Sequence, residues 1–284
     1  VGLKSAALGV ADRPAALAHL AGRARQNLWL LDLVANLGQL PPPGEASAEV
    51  VGAFEKRQLC GLLALRPCVV AEADLPGAAV DAFRPWLASL QGGLMKSPLQ
   101  DADALWAELA ANGCRPVVDR GETSWALSAE EARLSQPLAG MQVRRARAGD
   151  LSALVHAARA SLAEEGRPDP FEFDPEGFRR WVRGRIGRAW VVEEGGAMVF
   201  VGYADVQRPE GWLLQGVYTW PDSRRRGYAR VGVSALCQAA FEAEAEHVQL
   251  AVVAGNGAAE SLYRSLGFQP FAGLRTVLFE SPRS

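Results

Sequence analysis

The residues best suited to chemistry in this chain are Arg224-Arg225-Arg226-Gly227-Tyr228-Ala229. They lie between a strand-like run, Leu213 to Thr219, and a helix-like run, Tyr228 to Phe241. Basic-x-x-Gly-x-small at a strand-to-helix junction is an arrangement for holding an anion. The first N–H groups of a helix have no partner within it, and the aligned peptide dipoles place partial positive charge there. Gly227 and Ala229 keep the backbone bare for a close approach, and the arginines add charge that screens phosphate. A pyrophosphate meets that demand. No Gly-Lys-Ser/Thr follows, which excludes a Walker loop, and no G-x-G-x-x-G is present, which excludes the dinucleotide fingerprint. If the loop binds a phosphorylated cofactor, coenzyme A is the one expected. The competing reading is a strand-to-helix turn that carries solvated arginines.

The following segment supplies partners for this loop. Val248, Leu250 and Val252 alternate as a half-buried strand that ends at Gly255-Asn256-Gly257. Asn256 is suited to cap a helix, and Gly267 to stop it in the left-handed conformation. Asn256, Ala259 and Tyr263 share one face of that helix over two turns. If the two strands are neighbours, this face points the same way as the phosphate loop. Taken singly, Tyr263 reads as a half-buried aromatic and Asn256 as an ordinary cap.

Together these elements resemble the GNAT superfamily of N-acetyltransferases. The resemblance rests on Gln215-Gly216-Val217-Tyr218-Thr219-Trp220-Pro221, on Arg224-x-x-Gly227-x-Ala229, and on Asn256-x-x-Ala259-x-x-Leu262-Tyr263-x-x-x-Gly267-Phe268 in that order. It covers the chain from about Met141 to the end. The whole chain is similar to two-lobed GNAT proteins, in which a degenerate N-terminal lobe precedes an intact one. The first half has neither the basic loop nor the Asn…Tyr helix.

The resemblance implies an α/β fold with a mixed central sheet, and acetyl-CoA as acyl donor. It implies that the loop from Arg224, through the amides of Arg225, Arg226, Gly227, Tyr228, Ala229 and Arg230, holds the pyrophosphate. Main-chain groups of Val217 and Thr219, with Tyr218 between them, would pair with the pantetheine arm like an added strand. Asn256 would touch that arm, and Tyr263 would donate a proton to the departing thiolate, a role suited to a phenol that is neutral at cellular pH. Acyl transfer to an amine also needs proximity, a deprotonated amine and a donor to the oxyanion. The strand Leu213 to Thr219 carries no acid, so Asp205, ending the preceding strand, is the first candidate general base. The cluster Glu164-Glu165-Gly166-Arg167-Pro168-Asp169 and Glu172 are the alternatives. A solvated strand end and a charged loop are the competing readings of these acids.

The rest of the chain must position these groups. At 284 residues with 49% hydrophobic content it is long enough for two medium domains with real cores. A net charge of -2 gives no basic surface for nucleic acid. Lysine is confined to Lys4, Lys56 and Lys96, so a single arginine in this arginine-rich chain carries little information. Four cysteines and three histidines have no metal-ligand spacing, and free thiols in a reducing cytoplasm are expected. No apolar run is long enough to span a bilayer and no leader pattern opens the sequence, so a soluble cytoplasmic protein without a membrane partner is expected.

A Pro/Gly break near Ser135 to Gly140 divides the chain into 1–138, a degenerate GNAT-like domain, and 139–284, the acetyltransferase domain. In the first part Ala15 to Leu37 reads as one helix, and Val50 to Phe54 with Leu59 to Leu65 as a strand pair. Val117-Val118 and Trp125 to Leu127 read as separate short strands. In the second part Asp150 is a candidate cap for a helix from Leu151 to Leu162. Asp174-Pro175 opens the next helix. Ala189 to Glu193, Met198 to Asp205 and Trp212 to Thr219 read as successive strands. Trp181, Trp190 and Trp212 suit a core better than a pocket. The expected activity is acetyl transfer from acetyl-CoA to an amine, of a small molecule or a protein. A non-catalytic acyl-CoA-binding regulatory module and an enzyme using an aminoacyl or other acyl donor are the alternatives.

Overall fold

The computed structural model describes residues 2–281. The first run of elements is β1 (Lys4–Ala7), α1 (Arg13–Ala21), α2 (Leu28–Ala35), β2 (Glu49–Glu55), β3 (Gln58–Arg66), β4 (Val70–Ala71), α3 (Gly77–Leu87), β5 (Gly92–Pro98), α4 (Leu99–Ala111) and β6 (Arg115–Leu127). The second run is β7 (Met141–Arg145), α5 (Leu151–Glu164), α6 (Pro175–Arg185), β8 (Ala189–Glu194), β9 (Ala197–Arg208), β10 (Gly211–Thr219), α7 (Tyr228–Glu242), β11 (Val248–Val253), α8 (Gly257–Leu266) and β12 (Gln269–Glu280). Both runs follow one order, βααβββαβαβ. Even the turn before the first helix repeats: the Gly9 N–H donates to Asp12 at 2.8 Å, and the Arg147 N–H to Asp150 at 2.7 Å. Asp150 therefore serves this turn, and makes no side-chain cap to α5.

By contacts the chain forms two compact units. One holds the residues up to Pro41, Ala46–Ser124 and the chain from Ala272 onward; the other holds Pro42–Glu45 and Trp125–Phe271. The break expected at 138/139 is not where the chain changes unit. It crosses inside β6, which the sequence presents as two short strands, and again inside β12; each is a continuous strand. The peptide stays extended through both crossings, even with Pro270 and Gly273 flanking the second, so no turn marks the change of unit. The helix expected over Ala15 to Leu37 is two, α1 and α2, because the chain turns between residues 22 and 27. There the Asn27 side chain accepts the Ala73 N–H at 2.8 Å instead of continuing a helix.

In the first unit β1-β2-β3-β4 form an antiparallel sheet, and β5 pairs antiparallel with the end of β12 from Leu274↔Pro98 to Glu280↔Gly92. The link from β4 to α3 is Glu72-Ala73-Asp74-Leu75-Pro76, the place occupied in the second run by Trp220 to Gly227. The backbone echo is close: Asp74 has φ 60 and Arg225 has φ 61. The chemistry is opposite. Glu72 pairs with His19, Asp74 with Arg23, and Asp101 accepts the Leu75 N–H at 3.2 Å. The link carries the acids Glu72 and Asp74 where the second run's loop carries arginines.

In the second unit β7-β8-β9-β10 are antiparallel neighbours and β10 meets β11 in parallel. One face buries Phe200, Trp212, Leu214, Val248 and Leu250 beneath α7 and α8. The other buries Val191, Val201, Tyr203 and Tyr218 beneath α5 and α6. Gly232 in α7 is required by contact, since a Cβ there would lie 2.1 Å from the Phe200 ring. Asp174 caps α6 by accepting the Gly177 N–H at 2.7 Å, as expected for Asp-Pro.

Asp101 is 7% exposed and its Oδ2 has no hydrogen-bond partner. Burial, reinforced by Asp74 and Glu72, raises its pKa to about 6 against two backbone hydrogen bonds that lower it. The folded value lies above the ordinary 3.8, so this carboxyl's stabilising contribution is full below that pH and is lost as pH rises to about 6. Asp101→Asn keeps the acceptor for Leu75 and removes the buried charge. Its melting temperature should exceed the parent's by about 2–5 °C at pH 7.5, with the gain shrinking toward pH 4.

Candidate active site

The site begins where two strands part. β10 and β11 pair only at Trp212↔Val248 and Leu213↔Gln249, and beyond these residues the strands have no register with each other. The pairing of β10 with β9 shifts between Gln215 and Tyr218, so one extra residue is accommodated at Gly216, with φ 56. Such a bulge bends the strand and reverses side-chain parity. Leu214 accordingly lies in the core under α7, and Tyr218 in the core under α5 and α6. A side chain at 216 would press on the Tyr203 ring, 3.0 Å from the would-be Cβ. Val217, Tyr218 and Thr219 thus border a gap that an extended ligand can enter edge-on.

The loop from Trp220 to Gly227 lies at the end of this strand. Arg225 and Gly227 are both left-handed, with φ 61 and 86. Such turns gather successive N–H groups on one side. No side chain caps α7 at Gly227. Among the described residues, no hydrogen bond uses the N–H of Arg225, Arg226, Gly227, Tyr228, Ala229 or Arg230. A Cβ on Gly227 would meet nothing within 4 Å, so the glycine is needed for its backbone angle and the space above the loop is open. These free donors fit a pyrophosphate.

The arginine side chains behave differently from the sequence expectation of a shared phosphate screen. Arg224 is bound by Glu164, with both carboxylate oxygens 2.7 Å from Nη2. Arg226 donates to Glu194 at 2.8 Å, and Glu194 also accepts from the buried Tyr228 hydroxyl. Arg230 turns inward to Ser135 at 2.7 Å and to the Arg133 and Ser265 carbonyls. Among the described residues, Arg225 alone of the four has no hydrogen-bond or ion-pair partner for its side chain. The donors left open at this loop are therefore mainly those of the backbone.

Tyr263 and Asn256 stand on α8 as the spacing required. The Asn256 Oδ1 accepts the Ala259 N–H at 3.1 Å, which spends the oxygen on the cap and leaves the amide NH2 for a ligand. The Tyr263 ring is buried against Phe268, centroids 5.6 Å apart, and its hydroxyl makes no hydrogen bond among the described residues. Burial, helped by the neighbouring Cys237, pushes the phenol above its ordinary value, so it holds its proton. Trp190 and Trp212 are core residues in mutual contact at 5.9 Å.

Asp205 is not free to act as a base in this structure. Its carboxylate is bound by Arg185 Nη2 and by Arg185 Nε at 3.3 Å, and Arg188 lies 3.6 Å away. Arg185 is itself buried between the Trp181 and Tyr203 rings, 4.8 and 4.2 Å from their centroids. Arg188 in turn binds Glu45, on the segment Pro42–Glu45. That segment fits α6 through two glycines: a Cβ on Gly44 would be 2.6 Å from the Trp181 backbone, and one on Gly184 would be 2.5 Å from the Pro43 carbonyl. Sequence reading missed Arg185, Arg188 and Glu45, since lone charges in an arginine-rich chain carry no spacing signal. The alternatives to Asp205 are also paired: Glu164 with Arg224, Glu165 with Arg167 at 3.7 Å, and Asp169 with Arg159 at 3.4 Å. Glu172 is exposed and makes no ion pair among the described residues.

Comparison with known proteins agrees with this geometry. Residues 153–268 match the model of the Acetyltransferase (GNAT) family. No curated protein sequence matches the chain. Among solved structures, a Drosophila protein from a structural genomics consortium superposes with a TM-score of 0.72 at 17% identity, covering 98% of this chain and 99% of its own. A tandem GNAT protein from the clavulanic acid biosynthesis pathway gives 0.59 at 14% identity, covering 99% of both chains. A GCN5-related N-acetyltransferase from Sphaerobacter thermophilus gives 0.59 at 16%, covering 98% of this chain and 94% of its own. The strand gap, the uncapped loop and the buried tyrosine thus lie in the stretch that matches the Acetyltransferase (GNAT) family model, within a chain whose fold is that of a tandem GNAT protein.

Proposed function

We propose that the protein is an N-acetyltransferase that moves an acetyl group from acetyl-CoA directly to an amine of a small molecule or a protein. The observation that carries this reading is the row of unpaired N–H groups from Arg225 to Arg230 at the end of the β10–β11 gap. A diphosphate on the loop and an extended arm along Val217 and Thr219 would set a thioester in the gap, on the route to Tyr263. The loop amides and Arg225 hold charge, the β10 edge aligns the arm, and the Asn256 amide contacts it.

In the transfer the amine nitrogen attacks the thioester carbonyl, a C–N bond forms and the C–S bond breaks. A strand amide at the Gly216 bulge offers a hydrogen bond to the developing oxyanion. Tyr263 gives its proton to the leaving sulfur, and the amine's extra proton passes to water, with Glu172 the unpaired carboxylate available to receive it. Asp205 has a different part: it neutralises the buried Arg185. This pairing is also what favours a second reading, a non-catalytic acyl-CoA-binding regulatory module, because it engages the first candidate base with a buried guanidinium.

Release of free thiol from acetyl-CoA in the presence of a panel of amines tests the proposal. Turnover with one amine class is expected; tight CoA binding without turnover on any class supports the regulatory module instead. Tyr263→Phe should lower kcat about 100-fold while CoA affinity changes less than about twofold. The phenol's raised pKa keeps the acid form intact through its ordinary value of 10.0, so no alkaline loss of rate from this group is expected below that pH. Asp205→Asn, which strands a buried guanidinium, should cost about 2–4 kcal/mol in urea unfolding. A base role would instead leave stability intact and abolish turnover.

A further inference from the structure

Arg224 does something that its place in the anion loop does not call for. Its Nε donates to the Thr219 carbonyl at 3.0 Å, while its Nη2 is held by both oxygens of Glu164. Thr219 is the last residue of β10, on the strand edge that borders the gap. Glu164 is the last residue of α5, sixty positions earlier in the chain. The guanidinium also lies 5.7 Å from the Tyr218 ring centroid. One side chain therefore occupies a strand-edge carbonyl and brings a carboxylate to the loop whose backbone is arranged for an anion.

We propose that Glu164 and Arg224 form a latch on the donor slot, displaced when the donor binds. The inference rests on the reading of the β10–β11 gap as an acyl-CoA site. The guanidinium cannot stay on the Thr219 carbonyl while an extended arm pairs with that carbonyl. It also cannot keep both carboxylate oxygens of Glu164 while it faces a phosphate. A carboxylate near the loop repels a diphosphate, so Glu164 opposes the donor twice, by its charge and by the place in which it holds Arg224. Of the neighbouring charges, Glu165 is paired with Arg167, Asp222 adds a further acid beside the loop, and Arg225 is the cation that offsets them in part. Both members of the latch are about half exposed, at 43% and 46%, so the pair is weak enough to be exchanged for a ligand. Donor binding then releases the end of α5, and Glu164 acts as a residue that sets donor affinity.

Calorimetric titration with CoA and with pantetheine, which lacks the diphosphate, tests the latch. The proteins are the parent chain, Glu164→Gln and Arg224→Ala. Glu164→Gln should bind CoA about 3- to 10-fold tighter than the parent. Arg224→Ala should bind pantetheine tighter than the parent, because the Thr219 carbonyl is then open. Unchanged or weaker CoA binding by Glu164→Gln, or unchanged pantetheine binding by Arg224→Ala, overturns the latch while the donor site stands. A parent chain that binds no CoA overturns the donor reading itself, and the latch with it. Equal melting temperatures of the three proteins confirm that the differences arise at the slot.

Discussion

The separation of β10 from β11 is the constraint on which the rest of the second unit depends. Two parallel strands that meet at Trp212 and Leu213 leave main-chain groups unpaired once they part, and unpaired backbone groups are costly unless water or a ligand satisfies them. The Gly216 bulge makes the parting possible by adding one residue to β10 without breaking its pairing to β9. The same residue reverses which face the following side chains join. Tyr218 is thereby buried with α5 and α6, and the strand leads into the loop with its edge still open. Close-packed cores on both faces surround this opening.

The two runs of elements share an order down to the turn before their first helices, yet they differ where chemistry is expected. The second run ends its fourth strand in a loop of open N–H groups. The first fills the equivalent place with Glu72, Asp74 and Asp101, and gives the loop amides of Ala73 and Leu75 to Asn27 and Asp101. A fold specifies strand order and packing, whereas anion binding depends on a few donors and the sign of nearby charge. The two can therefore diverge while the scaffold stays the same.

Charge in the second unit is organised more by pairing than by exposure. Arg185, buried between two aromatic rings, requires Asp205, and Arg188 extends the chain to Glu45. A buried cation without its counter-ion is expensive, so these acids are held for structure and are poorly suited to exchange protons. The loop after β10 follows the same rule. Arg226 and Arg230 brace neighbouring segments, and the backbone N–H groups are left as the open donors of the loop. A helix N-terminus serves this purpose without any side-chain charge.

Short-range pattern determined much of this protein from sequence alone. The glycine at 227, the cap at Asn256, the Gly267 stop and the three- and four-residue spacing on α8 depend on neighbours within a few positions, and each is found in place. The order of strands and helices in the second half was legible for the same reason. Tertiary structure alone decided which strands were continuous, where the chain changes unit, and which acids are free. β6 reads as fragments because its first half is largely exposed and only its end is buried, so no single alternation runs through it. Asp205 and Glu164 read as candidate bases because their arginine partners lie 20 and 60 positions away. Ion pairing is set by distance in space, and sequence spacing reports that distance only inside a single element of secondary structure.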